Sequence, residues 1–155
     1  MNSGIFKKIM VATDGSELVK RAIDTAVDIA RQNEAKLYAV YVISMGFFSM
    51  TLPTDEQWKM AFQQRIMTEG REATAYVENV GRTANVRVES IVLRGNPADE
   101  IISFAERKDI DLIVMGTQGR TGIKKFLLGS VAENVVRHSK KSVLVVRGET
   151  AEEEQ

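Results

Sequence analysis

Five short runs of apolar, β-prone residues recur along the chain, at residues 7–13, 36–43, 86–93, 109–115 and 142–147. The first run, KKIMVAT, is nearly continuous in apolar residues, which is typical of a strand covered on both faces. Segments with helical spacing of apolar residues lie between the runs. Strands that alternate with helices in this way predict a parallel sheet with helices on both sides, the α/β class.

The first two predicted helices have recognisable ends. Ser16 can cap the first helix, and the apolar spacing that follows it continues to about Asn33. Thr54 and Gln57 form the capping pattern T-x-x-Q and open a long second helix. Gly81 is a natural stop for that helix, because glycine is favoured just past a helix end.

The third and fourth helices follow the same logic. Asn96 is the expected cap of the third helix, with Pro97 at its first helical position. The fourth helix is predicted from Ser130 to His138. Its first residues, S-V-A-E, form a capping box, so the Ser130 hydroxyl has a helix-capping role open to it as well as contact with a ligand.

Length and charge restrict the classes of protein that the chain can represent. At 155 residues a single domain over 1–147 is expected, followed by an acidic tail at 148–155 that we expect to be disordered. The 21 basic and 21 acidic residues balance, so no overall field favours nucleic acid or an anionic membrane surface. No apolar run reaches the length of a membrane span.

The absence of cysteine excludes disulfides, thiol catalysis and thiolate metal sites. The single histidine, His138, excludes a multi-histidine metal site, and its place at a helix end suits a cation opposite the helix dipole better than catalysis. The first 15 residues do not predict a signal peptide, because their apolar run is short and ends at Asp14. A cytoplasmic protein is therefore expected.

A glycine-rich loop separates the fourth predicted strand from the fourth helix. Gly116, Gly119 and Gly129 have the spacing G-x-x-G-x9-G, and Ser130 follows at once. Glycines leave backbone N–H groups accessible, and the start of the next helix adds its own N–H groups and the positive end of its dipole. This arrangement predicts a phosphate-binding loop.

A second unusual loop, Asp14-Gly15-Ser16, follows the first strand. In open parallel sheets, ligands bind beyond the carboxyl ends of the strands, where the strand order reverses. If the first and fourth strands are neighbours at that point, the carboxylate of Asp14 faces the phosphate-binding loop. A carboxylate opposite a phosphate site suits a ribose 5′-phosphate, and hence a nucleotide.

The chain resembles the universal stress protein family over nearly its whole length, from Lys7 to Arg147. Four segments carry the resemblance: V-A-T-D-G-S at 11–16, D-L-I-V-M-G-T-Q-G-R at 111–120, L-L-G-S-V-A-E at 127–133 and V-L-V-V-R at 143–147. The ATP-binding members of that family carry the pattern G-x-x-G-x9-G-S/T, which is complete in this chain.

The resemblance implies a flavodoxin-like, Rossmann-like three-layer sandwich of the adenine nucleotide α-hydrolase type, with five parallel strands in the order 3-2-1-4-5. It also implies ATP as the cofactor, with AMP or ADP as alternatives and Mg or Mn on the phosphates. The binding residues that it implies are Thr13, Asp14, Val42, Met115, Gly116, Gly119, Arg120, Gly129, Ser130 and Val131. Homodimerisation through the last strand, Val143 to Val146, is implied as well.

Several of these residues have simpler alternative roles. Asp14 can serve only as a turn former, and Val42 only as a core residue. Arg120, Lys124 and Lys125 can neutralise phosphate charge or stand as solvated loop charges. A metal contact from Asp14 is expected only through a divalent ion that the nucleotide carries.

Three functions remain open at this stage. The first is an ATP-binding regulatory protein of the universal stress type with an unidentified protein partner. The second is a slow ATPase or another enzyme that processes adenine nucleotides, but no catalytic residue can be assigned, since no candidate base has an activating partner and no Walker lysine motif occurs. The third is a dimerisation module that does not depend on a ligand. A phosphorelay receiver domain is set aside, because no phosphoacceptor aspartate follows the third strand.

Two segments depart from the family pattern or lie outside it. Many members have a proline just before the last strand, where this chain has Lys140, Lys141 and Ser142. The apolar segment SMGFFSMTLP at 44–53 matches no motif of the family. It is expected to pack on the domain, to cover the adenine or to face a partner.

Overall fold

The computed structural model describes residues 4–44, 55–117 and 128–148. Nine elements alternate along the described chain in the predicted order. They are β1 (Lys8–Ala12), α1 (Lys20–Asn33), β2 (Lys36–Ser44), α2 (Glu56–Thr83), β3 (Val88–Gly95), α3 (Pro97–Arg107), β4 (Leu112–Gly116), α4 (Ser130–His138) and β5 (Ser142–Val146).

The five strands form one parallel sheet in the order β3-β2-β1-β4-β5, which confirms the predicted topology. β1 lies at the centre, where Ile9 is opposite Leu37 of β2 and Leu112 of β4. The chain runs outward from β1 to β3 and then crosses to β4. The strand order therefore reverses between β1 and β4, and the carboxyl ends of these two strands border a crevice.

Helices cover both faces of the sheet, and each face has its own hydrophobic core. Ile9 and Val11 point to the side of α1 and α2, where Val77 of α2 is also fully buried. Met10, between them in β1, points to the side of α3 and α4, where Phe104 packs. Burial of apolar side chains on both faces explains why the strand sequences are nearly continuous in apolar residues.

The start of α1 differs from the prediction. The helix begins at Lys20 with Val19 at the N-cap position, and no side chain caps it. Ser16 lies four residues earlier, where its backbone N–H and its hydroxyl both donate hydrogen bonds to Asp14 Oδ1, at 2.9 and 2.6 Å. The prediction that Ser16 caps α1 was wrong, because the nearer aspartate holds this serine in a local turn.

The ends of α2 also shift. Its cap is Asp55, whose side chain accepts a hydrogen bond from the Gln57 N–H at 3.0 Å, whereas the predicted cap Thr54 lies outside the described residues. Gly81 does not stop the helix, which continues to Thr83. A Cβ atom at Gly81 would collide with the Val88 side chain, so this glycine permits close packing of α2 on β3.

The cap of α3 is as predicted, since Asn96 Oδ1 accepts a hydrogen bond from the Asp99 N–H at 3.1 Å. The span predicted for α4 is confirmed, but its N-cap is Gly129 and not Ser130. The Glu133 N–H donates to the Gly129 carbonyl at 2.9 Å, which places Ser130 inside the first turn. The predicted capping box at Ser130 is therefore wrong. The predictions for residues 45–54, 118–127 and 149–155 lie outside the residues that the structure describes.

Candidate functional site

A cavity of about 350 Å³ opens at the crevice between the carboxyl ends of β1 and β4, on the side of α3 and α4. This volume lies in the range of small-molecule sites. Its lining comes from the ends of β1, β2 and β4 and from the first turns of α3 and α4. The lining residues are Ala12, Thr13, Asp14, Val19, Val40, Val42, Pro97, Ile101, Met115, Gly116, Thr117, Gly129, Ser130, Val131 and Ala132.

Eight of the ten residues predicted to bind a ligand line this one cavity. Gly119 and Arg120 lie outside the described residues, as do Lys124 and Lys125. The eight residues that meet in the cavity are Thr13, Asp14, Val42, Met115, Gly116, Gly129, Ser130 and Val131.

One wall of the cavity is apolar. Val40 and Val42 of β2 point to the same side because they are two residues apart, and Met115 of β4 adjoins them. Pro97 and Ile101, from the first two turns of α3, complete this wall. An apolar surface of this kind suits a heterocyclic ring.

Sequence reasoning missed several lining residues, among them Val40, Pro97 and Ile101. The alternation of side chains along β2 could have identified Val40, since it shares a face with Val42. Nothing local in the sequence could have identified Pro97 and Ile101. Their place in the cavity follows from the packing of α3 against β2.

The opposite end of the cavity is the N-terminus of α4. Among the described residues, no hydrogen bond engages the backbone N–H groups of Ser130, Val131 and Ala132 or the Ser130 hydroxyl. Such N–H groups have no partner inside a helix, and the helix dipole adds positive potential. This end of the cavity can therefore accept an anion, and the Ser130 hydroxyl is not used for capping.

Thr117 holds this helix end in place. Its carbonyl accepts a hydrogen bond from the Gly129 N–H, and its own N–H donates to the carbonyl of Val146 at 3.1 Å. Thr117, which directly follows β4, is thus hydrogen-bonded both to the N-cap of α4 and to the last residue of β5. Thr117 was not among the predicted site residues.

A tight turn at Asp14 forms the third side of the cavity. The Gly15 N–H donates to Thr13 Oγ1 at 3.1 Å, and Asp14 Oδ1 accepts the two bonds from Ser16. Gly15 has φ of 78°, a left-handed conformation that glycine adopts without steric cost. The turn places Asp14 in the lining of the cavity, and the bonds from Ser16 fix the orientation of its carboxylate.

A second cavity, of about 430 Å³, lies on the other face of the sheet between this turn and the helices α1 and α2. Its charged side chains are Glu17, Lys20, Glu69 and Glu72, with Tyr76 beside them. Lys20 Nζ lies 2.9 Å from Glu17 Oε1, and this bond raises the pKa of Lys20 above its ordinary value. With three carboxylates and one ammonium, the second cavity disfavours anions.

Neither cavity contains a ready-made metal centre in the part of the chain that the structure describes. Among those residues, no three histidine, aspartate or glutamate side chains are arranged so that they could hold one metal ion. The same residues include no helix both long and apolar enough to cross a bilayer. The predicted location of the protein stays a prediction.

Comparison with known proteins identifies the family. The sequence profile of the universal stress protein family matches residues 5–147. A universal stress protein of Methanocaldococcus jannaschii is 41% identical over 143 residues, covering 92% of this chain and 83% of that protein. The structure of another protein of that organism, MJ0577, superposes with a TM-score of 0.83 at 28% identity, covering 96% of this chain and all of the other.

Two further similar structures contain nucleotides. A universal stress protein in complex with cAMP is 30% identical, with a TM-score of 0.67 over 93% of this chain and 98% of that one. The universal stress protein of Archaeoglobus fulgidus in complex with dAMP is 25% identical, with a TM-score of 0.67 over 93% of this chain and all of that one. From the sequence match over nearly its full described length and from the shared topology, the chain belongs to the universal stress protein family.

Proposed function

We propose that the protein binds ATP in the cavity between β1 and β4 and acts as a nucleotide-dependent regulator. One observation carries this proposal: an apolar wall, an aspartate, and a helix start whose first N–H groups have no partner among the described residues line the same cavity. These three features match, in order, a purine ring, a ribose and a chain of phosphates. The complexes of relatives with cAMP and dAMP support an adenine nucleotide.

In this proposal the adenine lies against Val40, Val42 and Ile101. The ribose hydroxyls donate to the carboxylate of Asp14. The phosphates accept hydrogen bonds from the first N–H groups of α4, where the helix dipole favours negative charge. AMP and ADP would occupy the same cavity with fewer phosphate contacts, and therefore more weakly.

A divalent ion, Mg or Mn, would accompany the phosphates. Such ions prefer oxygen ligands, and the cavity lining offers the Asp14 carboxylate and the Ser130 hydroxyl. One carboxylate cannot bind Mg²⁺ tightly without the phosphates. The ion would enter with the nucleotide and add to the neutralisation of its charge.

Regulation fits this cavity better than catalysis. Asp14 is the one titratable side chain among the described lining residues, and its oriented oxygen already accepts bonds from Ser16. Activation of a water molecule needs a base positioned by a partner for proton transfer. Hydrolysis should accordingly remain far below the common enzymatic range of about 1 to 10³ per second.

We propose in addition that two copies pair through β5, which lies at one edge of the sheet. The strand has the sequence SVLVV, without a charged residue, and its four apolar side chains are only partly buried. Natural edge strands are usually protected by charges, proline or bulges, so an unprotected apolar edge favours pairing with another strand. A second copy related by a two-fold axis would cover it.

Replacement of Val145 by proline tests this pairing. The Val146 carbonyl faces β4, because it accepts a bond from Thr117, and the backbone groups of Val145 therefore face the open edge. Val145→Pro should remove an edge donor without loss of a bond to β4, and should convert the protein to a monomer in sedimentation velocity. Val145→Ala keeps the donor and should remain dimeric. A wild-type monomer at high concentration would contradict the pairing.

Identification of a co-purified nucleotide tests the main proposal. Freshly purified protein is denatured, and the released small molecules are separated and identified by mass. We expect ATP, or ADP and AMP derived from it. An empty protein that also fails to bind added ATP with Mg²⁺ in calorimetry would overturn the proposal.

A further inference from the structure

The N-cap of α4 and the end of β5 are joined through one residue. The Gly129 N–H donates to the Thr117 carbonyl, and the Thr117 N–H donates to the Val146 carbonyl at 3.1 Å. Gly129 and Thr117 both line the cavity, whereas Val146 is the last residue of the edge strand. Two consecutive backbone bonds therefore connect the anion-binding end of the cavity to the sheet edge.

The chain just beyond β5 is also close to the other side of the cavity. A Cβ atom at Gly148 would lie 2.6 Å from the Leu18 carbonyl oxygen, so the two segments pack closely. Leu18 follows the turn at Asp14 and precedes Val19, which lines the cavity. The end of β5 is thus held between the two segments that would contact ribose and phosphate.

We infer that Thr117 is a positioning residue that links nucleotide binding to the pairing of two copies along β5. This inference rests on the proposed function, since it needs both the nucleotide and the dimer. A nucleotide that bonds to the first N–H groups of α4 fixes Gly129, and through Thr117 it fixes the end of β5. A second copy paired with β5 fixes the same elements from the opposite side.

When one of the two, the nucleotide or the second copy, has already ordered the N-cap of α4 and the end of β5, the other binds with a smaller loss of conformational entropy. Such linkage is reciprocal. Because a dimer binds two ATP molecules, the factor by which saturating ATP tightens the dimer is the square of the factor by which pairing tightens ATP binding at each site. Couplings of this type typically change affinity by about 5- to 150-fold. We expect a positive linkage of at least about fivefold, because the connection is short and runs through backbone bonds alone.

The test compares ATP affinity in the dimeric wild type with that of monomeric Val145→Pro, by calorimetry with Mg²⁺ present. Wild type should bind ATP at least about five times more tightly. In sedimentation at matched dilutions, saturating ATP should lower the dimer dissociation constant by the square of that factor, at least about 25-fold, because each dimer binds two ATP molecules. If the wild type binds ATP and forms dimers but has the same ATP affinity as monomeric Val145→Pro, the inference is wrong, whereas the proposed function stands.

Thr117→Pro addresses the residue itself. Proline removes the N–H that bonds to Val146 but keeps the carbonyl that accepts from Gly129. The linkage should fall to less than about twofold, whereas Thr117→Ala, which retains both backbone bonds, should keep the wild-type ratio whatever its own ATP affinity. A wild-type ratio in a folded Thr117→Pro variant would contradict the role of this bond.

Hydrogen exchange of the wild-type protein gives a readout that does not depend on a variant. Saturating ATP should slow exchange at the Thr117 and Gly129 amides and in β5, including residues with no contact to the cavity. Protection confined to the cavity lining would refute the linkage. If the wild-type protein does not bind ATP at all, the proposed function is wrong. If it does not form dimers, the proposed pairing is wrong. In either case the inference is wrong as well.

Discussion

The two cavities of this protein share a wall but differ in chemistry. Thr13 and Val19 line both, one cavity on the side of α3 and α4 and the other between α1 and α2. The two cavities are similar in size, about 350 Å³ for the first and about 430 Å³ for the second. Size alone therefore does not indicate which of the two binds a nucleotide.

Charge and backbone geometry separate them. The first cavity ends at the N-terminus of α4, where the first N–H groups have no partner among the described residues, and it has an apolar wall opposite. The second is lined by the carboxylates of Glu17, Glu69 and Glu72, with one ammonium, Lys20, already bonded to Glu17. A polyphosphate would be attracted by the first and repelled by the second. The same turn thus adjoins the cavity that we propose for the phosphates and a second cavity whose charges disfavour them.

The largest effect should follow from Gly129→Val. Gly129 has φ of −71°, which any residue adopts, so the fold should tolerate a side chain here while the phosphate end of the cavity is filled. ATP binding in calorimetry should fall below detection, with a melting temperature close to that of the wild type. Gly129→Ala should give a smaller loss. Unchanged affinity in the valine variant would show that the first cavity is not the nucleotide site.

A smaller effect is expected from Asp14→Ala. A hydrogen bond to a charged group contributes about 1.5 to 3 kcal/mol, which corresponds to a loss of about 10- to 100-fold in ATP affinity. The variant should also lose discrimination between ATP and 2′-deoxy-ATP, because the carboxylate is the proposed partner of the ribose.

Ser16→Ala is the matched control for this variant. It removes the hydroxyl bond to Asp14 Oδ1 but keeps the carboxylate and the Ser16 N–H bond. If Ser16→Ala weakens ATP binding as much as Asp14→Ala does, Asp14 acts through the turn and not through the ribose.

The smallest effect should come from the second cavity. Glu72→Ala removes an exposed carboxylate from the second cavity. It should change ATP affinity by less than about twofold, because salt screens the interactions of exposed charges. The same calorimetric titration measures it. A large gain or loss of ATP affinity would mean that the two cavities are energetically coupled.

The architecture was predictable because apolar runs and helical spacing are local signals of burial. Strands covered on both faces must be apolar throughout, and this pattern in β1 and β2 marks them without any knowledge of their neighbours. The strand order came from the family resemblance, because periodicity does not specify which strands are adjacent. The helix starts were less predictable. Ser16 and Ser130 are both residue types that commonly cap helices. However, the Ser16 hydroxyl donates to Asp14, and Gly129 occupies the cap position that was predicted for Ser130.

The sequence by itself determined the α/β class, the glycine-rich approach to α4 and the carboxylate after β1, since each depends on residues that are close along the chain. Tertiary structure alone decided that Pro97 and Ile101 complete the apolar wall, and that Thr117 bonds to Val146. These contacts join elements that are distant in the chain. Their geometry depends on how the helices pack on the twisted sheet, and no local pattern of residues encodes that packing.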